Sequence, residues 1–421
     1  MSRKFLTFST LVLVLLVITA AVLQLSRKFI SRNMVTRGFS SLEEEKYAES
    51  YTIFEKAAKW HGKSSAALLG MGEAGYHLSQ YDKALEHVNR SIRIDSLAPE
   101  AFFYRGLIHL KLEDKPGAIL DFSRTIGFDS LHAQAYYHRG VARAGLADFK
   151  GSVDDYRKAM ALDGKNIEAY LKSIEAKSAL DDFKGAISDY DKLLTVDLNN
   201  EEAYVNRGYL KLNIGDLDGA LADFNKALVM NPANIDVAFN RGAVYARKGD
   251  FNSAVTDFSK AIKKKHKLSK AYYNRALAYL NLRKLNESIR DLKEVVRDEP
   301  ENAEAFLTMG VINSMKQDFT ASLTYYDKAI DINPSFAEAY FNRGVSRGNL
   351  NMHNEAIPDY NKAIELRDDY PEAYYSRAIS ELNLQQTTKA CKDLNKAREL
   401  GFRSAEELLS IHCGQQTVTS N

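Results

Sequence analysis

An all-α solenoid of stacked helix pairs, led by a membrane-spanning helix, is the fold that three observations predict. The chain repeats itself every 34 residues, each repeat carries two short amphipathic patterns, and one long uncharged run lies near the start. The clearest repeat is Glu201–Asn234. Tyr204, Gly208 and Leu212 form one helical stripe, and Gly215-Asp216 interrupts it. Leu217, Ala220, Leu221, Phe224, Ala227 and Leu228 then recur at helical spacing as a second stripe. Asn231-Pro232 stops this second helix, and Asn200 and Asn234 suit the N-caps of the helices that follow. Neither helix buries its stripe alone, so the pairs must stack on copies of themselves.

In chain order, residues 1–4 are short and basic, and Phe5–Leu25 is 21 residues without charge. At 1.5 Å per residue that run spans about 31 Å, against ~30 Å for a hydrocarbon core. It predicts a single-pass membrane anchor. The alternative is a cleaved secretory signal, with Thr19-Ala20-Ala21 at the cleavage site and an exported chain as the product. Against cleavage, the apolar run continues through Val22, Leu23 and Leu25, then meets Arg27, Lys28, Arg32 and Arg37. Arg3, Lys4 and the amino terminus oppose these four, so the positive-inside count leans only slightly toward cytoplasmic repeats. A bacterial-type signal anchor leaves them outside.

A degenerate unit follows at 31–64 (Gly38, Tyr47, Phe54, Ala57), and ten regular units fill 65–404 without an insertion. The eighth place holds Gly72, Gly106, Gly140, Gly208, Gly242, Gly310 and Gly344; the twentieth is always Ala or Ser; the twenty-fourth is mostly aromatic, as in Phe122, Tyr156, Tyr190, Phe224, Phe258, Tyr326 and Tyr360. With Pro232, Pro300 and Pro334 at the joints, this pattern strongly resembles the tetratricopeptide repeat. The resemblance implies a right-handed superhelix whose first helices line a concave groove. The unit Ile167–Asn200 departs from the pattern with Ile174, Leu193 and Leu198, which predicts a local irregularity there. Pro116 and Pro358 fall near the starts of second helices, where the missing N–H costs little. Ser404-Ala405-Glu406-Glu407 reads as a capping box opening a short terminal helix (405–413) that covers the last unit. Residues 414–421 form a patternless tail.

Comparing units within the chain separates scaffold charges from binding groups. The seventh place carries Arg105, Arg139, Arg207, Arg241, Arg275, Arg343 and Arg377; sixteen residues on stand Asp121, Asp155, Asp223, Asp257, Asp291, Asp359 and Asp393. The units with Met71 and Met309 lack the Asp, having His87 and Tyr325, and Ser173 with Asp189 is a half-pair. Joint presence and absence predicts a shielded ion pair inside each unit. The sixth place holds Asn206, Asn240, Asn274 and Asn342, in line with Thr308 and Ser376. One place earlier run Phe103, Tyr137, Phe239, Tyr273, Phe341 and Tyr375. On first helices, a row of solvent-facing amides suits an extended peptide backbone and adjacent aromatics suit its side chains. Alternatively, Asn merely favours such a site and the rings pack between units. The row resembles the asparagine ladder of the O-GlcNAc transferase superhelix, without a glycosyltransferase domain. A carboxylate clamp of the chaperone-binding kind is not expected, because the fifth and ninth places are apolar or aromatic.

The remaining features point away from catalysis. Basic and acidic residues number 57 and 55, which gives nucleic acid no attracting field. Lys263–Lys267 is the one dense charge run, at a joint between helices. Cys391 and Cys413 have no metal-ligand spacing and leave the compartment open; His412-Cys413 reads as the end of the last helix rather than as a metal site. No nucleophile–base pair or phosphate loop stands out, so no enzyme, cofactor or metal is expected. The expected function is a membrane-tethered scaffold binding extended segments of partner proteins. The alternative is a structural subunit of an envelope or secretion assembly that self-associates.

Overall fold

The structure, a computed structural model, describes residues 3–414, and the described residues are helices joined by tight turns. They fall into two compact units, Met1–Asp216 and Leu217–Asn421.

The first unit holds α1 (Arg3–Glu43), α2 (Tyr47–Trp60), α3 (Ser65–His77), α4 (Tyr81–Ile94), α5 (Pro99–Lys111), α6 (Lys115–Phe128), α7 (Ala133–Ala144), α8 (Phe149–Leu162), α9 (Ile167–Ala179), α10 (Phe183–Val196) and α11 (Glu201–Asn213). Each helix packs on the next. Each pair turns on one left-handed residue at the fifteenth place, including Glu113 (φ 63°) and Ala147 (φ 61°). The amide that follows closes on the carbonyl five residues back, as in Asp114 to His109 (2.9 Å) and Asp148 to Arg143 (3.0 Å). This is the Schellman arrangement. The second helices are then capped by Asp114, Asp148 and Asp182, which accept from the amides of Gly117, Gly151 and Gly185. Small residues at the eighth place make room for the twenty-fourth: a Cβ on Gly140 would lie 2.7 Å from the buried Tyr156 ring.

The uncharged run and the first helix of the 31–64 unit are one continuous helix, α1. Its final part packs on α2, where Ser31 Oγ donates to Ala57 O at 2.9 Å and Ser50 Oγ to Gly38 O at 2.9 Å. The first contact recurs from Ser91 to Ser65 O (2.8 Å) and from Thr125 to Pro99 O (3.3 Å). In these three repeats it ties the last turn of the second helix to the start of its first helix. In the unit Ile167–Asn200, Ile174 and Leu193 are both buried, sharing a core with Tyr170, Tyr190 and Leu194.

The second unit holds α12 (Leu217–Met230), α13 (Ile235–Arg247), α14 (Phe251–Lys263), α15 (Leu268–Asn281), α16 (Leu285–Asp298), α17 (Ala303–Met315), α18 (Phe319–Ile332), α19 (Ala337–Asn349), α20 (His353–Leu366), α21 (Pro371–Asn383), α22 (Thr387–Glu399) and α23 (Ala405–His412). Its second helices repeat the same core: Phe258, Tyr326 and Tyr360 are buried. Pro358 lies inside α20, beyond the first turn, so one i→i−4 bond is forgone on an exposed face. Ser404 sits in helical conformation and its side chain caps nothing, so the expected capping box does not form. Instead a disulfide, Cys391–Cys413, with Cα atoms 5.8 Å apart, fastens the end of α23 to α22. The expected tail lies, from residue 415, outside the described residues.

Candidate functional site

The conspicuous charged residues are turned inward. Arg105, Arg139, Arg241, Arg275, Arg343 and Arg377 each present Nε and Nη2 to the carboxylate sixteen residues on. For Arg241 and Asp257 both bonds are 2.8 Å, and Asp257 is only 1% exposed. Hydrogen bonding to the carboxylate holds the Arg241 guanidinium above its usual pKa. The fork geometry satisfies both carboxylate oxygens at once, which a lysine cannot do. Arg207 belongs to the first compact unit and Asp223 to the second.

Two further columns complete this network and escape a reading of the seventh place alone. The third guanidinium nitrogen, Nη1, reaches back to the twenty-fifth place of the preceding repeat. It bonds Asn89 from Arg105 (2.9 Å), Ser123 from Arg139 (3.0 Å) and Asp191 from Arg207 (2.7 Å). In the second unit it bonds Asn225, Ser259, Asp327 and Asn361. The eleventh place adds a second cation to the buried Asp: Arg143 to Asp155 and Arg347 to Asp359, each at 2.8 Å. Lys177 does the same for Asp189 at 2.5 Å, completing the half-pair that Ser173 leaves. The signal was present in the sequence as an intermittent column: His109, Arg143, Lys177, Arg347.

At the same place the last repeat has Glu381, 6% exposed, beside the equally buried Asp393. Its Oε2 has no hydrogen-bond partner. Burial, followed by the Asp393 charge, pushes its carboxyl up to about 7. Glu381 and Arg377 line a cleft rimmed by Lys389, Lys392 and Lys396.

The sixth-place amides are half-buried rather than freely solvent-facing. Asn240 Nδ2 donates to Asp236 O and Asn342 Nδ2 to Glu338 O, both at 2.8 Å, so each is held against its own helix. Asn206 bonds the Tyr190 hydroxyl, whose pKa burial raises and this bond lowers. Asn274 is half-buried in the middle of α15. The neighbouring aromatics are more occupied with packing. Tyr137 and Phe239 are buried, Tyr137 donating to Glu168 at 2.9 Å and Phe239 meeting the Phe258 ring edge-on at 5.5 Å. Tyr273, Phe341 and Tyr375 are half-buried, with Phe341 against Tyr370 and Tyr375 against Phe402 at 4.9 and 4.8 Å. These rings meet the joint that follows each repeat, so most of their area stabilises the stack. In the Lys263–Lys267 run, Lys267 pairs with Asp236 at 2.7 Å and lies over the Phe239 ring. Among the described residues, no group of three or more His, Cys, Asp or Glu is placed to hold a metal.

Helix hairpins of one length, stacked through a small-against-aromatic core and stitched by buried Arg–Asp forks, define a helical repeat protein. Two tetratricopeptide-repeat models match residues 337–370, and 79–130 with 273–337, and a third, TPR-repeat model matches 212–249. These stretches are tetratricopeptide repeats, and the matches support a tetratricopeptide-repeat protein. No curated protein sequence matches it significantly. Solved structures similar to it include the APC/C hetero-tetramer Cut9-Hcn1, with 14% identity, 89% of this chain and 95% of that chain covered, and a TM-score of 0.42. Yeast Tom70 has 14% identity, coverage of 93% and 97%, and a TM-score of 0.41. YrrB, described as a TPR protein with an unusual peptide-binding site, has 17% identity, coverage of 46% and 97%, and a TM-score of 0.40.

Proposed function

We propose that this chain is a membrane-tethered, non-catalytic scaffold that holds extended segments of partner proteins along the face formed by its first helices. The observation that carries this reading is the row of short polar side chains at the sixth place of successive repeats. In the second unit these are Asn240, Asn274, Thr308, Asn342 and Ser376, one from each first helix. An extended backbone offers a donor and an acceptor per residue, which amides match without regard to sequence. Fastening Asn240 and Asn342 to their own helices lowers the entropy lost on binding. YrrB's description as a peptide-binding TPR protein agrees with this use of such repeats. The test is the affinity of one captured partner for the full chain and for the Asn240→Ala/Asn274→Ala/Asn342→Ala variant. Unchanged affinity in a folded variant rejects the reading and moves the weight to docking elsewhere or to self-assembly.

The tether in this proposal is α1, whose described apolar stretch from Val12 has a mean hydropathy of 1.9 and no burial. The Cys391–Cys413 disulfide supports an oxidising compartment for the repeats. That opposes the slight lean of the flanking charges and favours the amino terminus in the cytoplasm with the repeats outside.

A further inference from the structure

We infer that the joint edge of the first repeats lies on the membrane that α1 enters, forming an apolar, basic-rimmed contact with the lipid interface beside the anchor. This rests on the reading of α1 as a retained anchor. The argument begins with a column of exposed apolar residues at the last position of successive second helices. Trp60 is 45% exposed, Ile94 44% and Phe128 47%; Leu97 and Leu131, three residues further on in the joints, are 70% and 73% exposed. The helix-end place stays apolar in most later repeats, with Lys264 and Asp298 the exceptions, so what sets the first repeats apart is the joint: the place of Leu97 and Leu131 later holds Lys165, Asn199, Lys267, Glu301, Ser335 and Asp369.

The fold determines which way this edge faces. Each second helix ends beside the start of its own first helix, through the contacts Ser31–Ala57, Ser65–Ser91 and Pro99–Thr125. In the 31–64 unit the first helix does not start there: α1 continues, unbroken, back toward the uncharged run. The anchor therefore leaves the repeats through the joint edge, where Trp60 is found. Leu25, the end of the run, precedes Ser31 by about 9 Å of helix, and Trp60 lies about 4.5 Å beyond Ala57 in the same direction. That leaves Trp60 roughly 5 Å from the end of the hydrocarbon-spanning segment, within the ~5–7 Å that headgroups occupy on each side. Tryptophan is enriched at that depth.

Charge agrees with the occupant. Arg27, Lys28 and Arg32 on α1, Lys59 and Lys63 around Trp60, and Arg93 beside Ile94 are all exposed. Anionic headgroups attract such a cluster, and each base contributes about 1 kcal/mol near the surface. A protein partner would meet these residues only by competing with the bilayer a few ångströms away.

Trp60 is the single tryptophan of the chain, so its fluorescence reports the contact directly. The full chain is reconstituted into phosphatidylcholine–phosphatidylglycerol vesicles, with and without bromine on the upper acyl chain. Carbonate extraction of the same vesicles reads the anchor separately. The expected result is a carbonate-resistant chain whose emission is blue-shifted, lost to bromolipid and sheltered from aqueous iodide. A Trp60→Phe/Phe128→Trp variant moves the probe two repeats along the edge and should also lose emission to bromolipid. A resistant chain with a water-exposed Trp60 overturns the contact while leaving the anchor standing. Quenching at position 60 but not at 128 also overturns it, because proximity to α1 then suffices. A chain that carbonate extracts overturns the anchor and the contact together.

Discussion

Arg241→Met tests the idea that the arginine column supports the fold rather than a ligand. Methionine keeps most of the aliphatic stem and removes the guanidinium. Two bonds of 2.8 Å to Asp257 are lost, together with one of 2.7 Å to Asn225 and the stacking over Tyr245. Asp257 stays buried, and the cation left beside it is Lys260, 3.3 Å away on a side chain 54% exposed. An uncompensated carboxylate in that position costs on the order of 3–5 kcal/mol. Lys263→Met, on an exposed residue in the last turn of α14, should stay within about ±0.5 kcal/mol. Because stacked repeats unfold in parts, one denaturation midpoint blurs a local loss. Hydrogen exchange of the α13 and α14 amides reads it where it occurs. The expected loss accelerates exchange by roughly 140- to 3,700-fold, at 1.4 kcal/mol per tenfold. Arg241→Met/Asp257→Leu should recover most of it, since both charges then leave together. Equal acceleration in the Arg241 and Lys263 variants would refute the shielded pair.

Other measurements address the remaining features. The triple alanine variant at Asn240, Asn274 and Asn342 should weaken a backbone-held partner by about 1.5–4.5 kcal/mol, or roughly ten- to two-thousandfold by titration calorimetry, with helicity unchanged. Reducing Cys391–Cys413, or Cys413→Ser, should loosen α23: closing a loop of this 22-residue separation is worth about 3 kcal/mol in the chain-entropy account. Maleimide mass-tagging of membranes should label these cysteines only after reduction; labelling without reductant would contradict an oxidising compartment. Glu381, raised from 4.5 to about 7, keeps a proton in the folded state that the unfolded chain has released. Stability of the last repeats should therefore fall as pH rises from about 4.5 to 7 and level off above, by at most about 3 kcal/mol. Glu381→Gln should flatten that slope in α21 and α22 exchange, and an identical slope in the variant would exclude Glu381 as its source.

The sequence made the helix pairs legible because stacking needs the same residue sizes at every turn of the pattern. Gly140 facing Tyr156, and Gly344 facing Tyr360, are steric requirements, and such requirements leave fixed columns. The buried forks were legible for the same reason: an Arg without its Asp is costly, so the two vary together. What stayed hidden has no such column. Lys177 substitutes for an arginine from one turn away, and Asn89, Ser123 and Asp191 share only the ability to accept a hydrogen bond. The Asn row was visible, yet its half-burial and its bonds to Asp236 O and Glu338 O depend on rotamers that spacing does not encode. Ser404 carries the residues of a capping box without its backbone conformation. The disulfide depends on α23 folding back on α22, which two isolated cysteines could not announce.

The arginines have one more consequence, through the nitrogen that reaches back to the preceding repeat. A guanidinium bonded to its own repeat and to the one before is shared between the intrinsic term and the neighbour term of a linear array. Where it is present, one repeat melts only by taking bonds from the next, and the two behave as a block. The repeats with Met71, Ser173 and Met309 have no guanidinium to share backward. The first compact unit thus contains two weak couplings, before α3 and before α9, and the second contains one, before α17. Heating or pulling the chain should part it at these three joints first, releasing α3–α8 as one block.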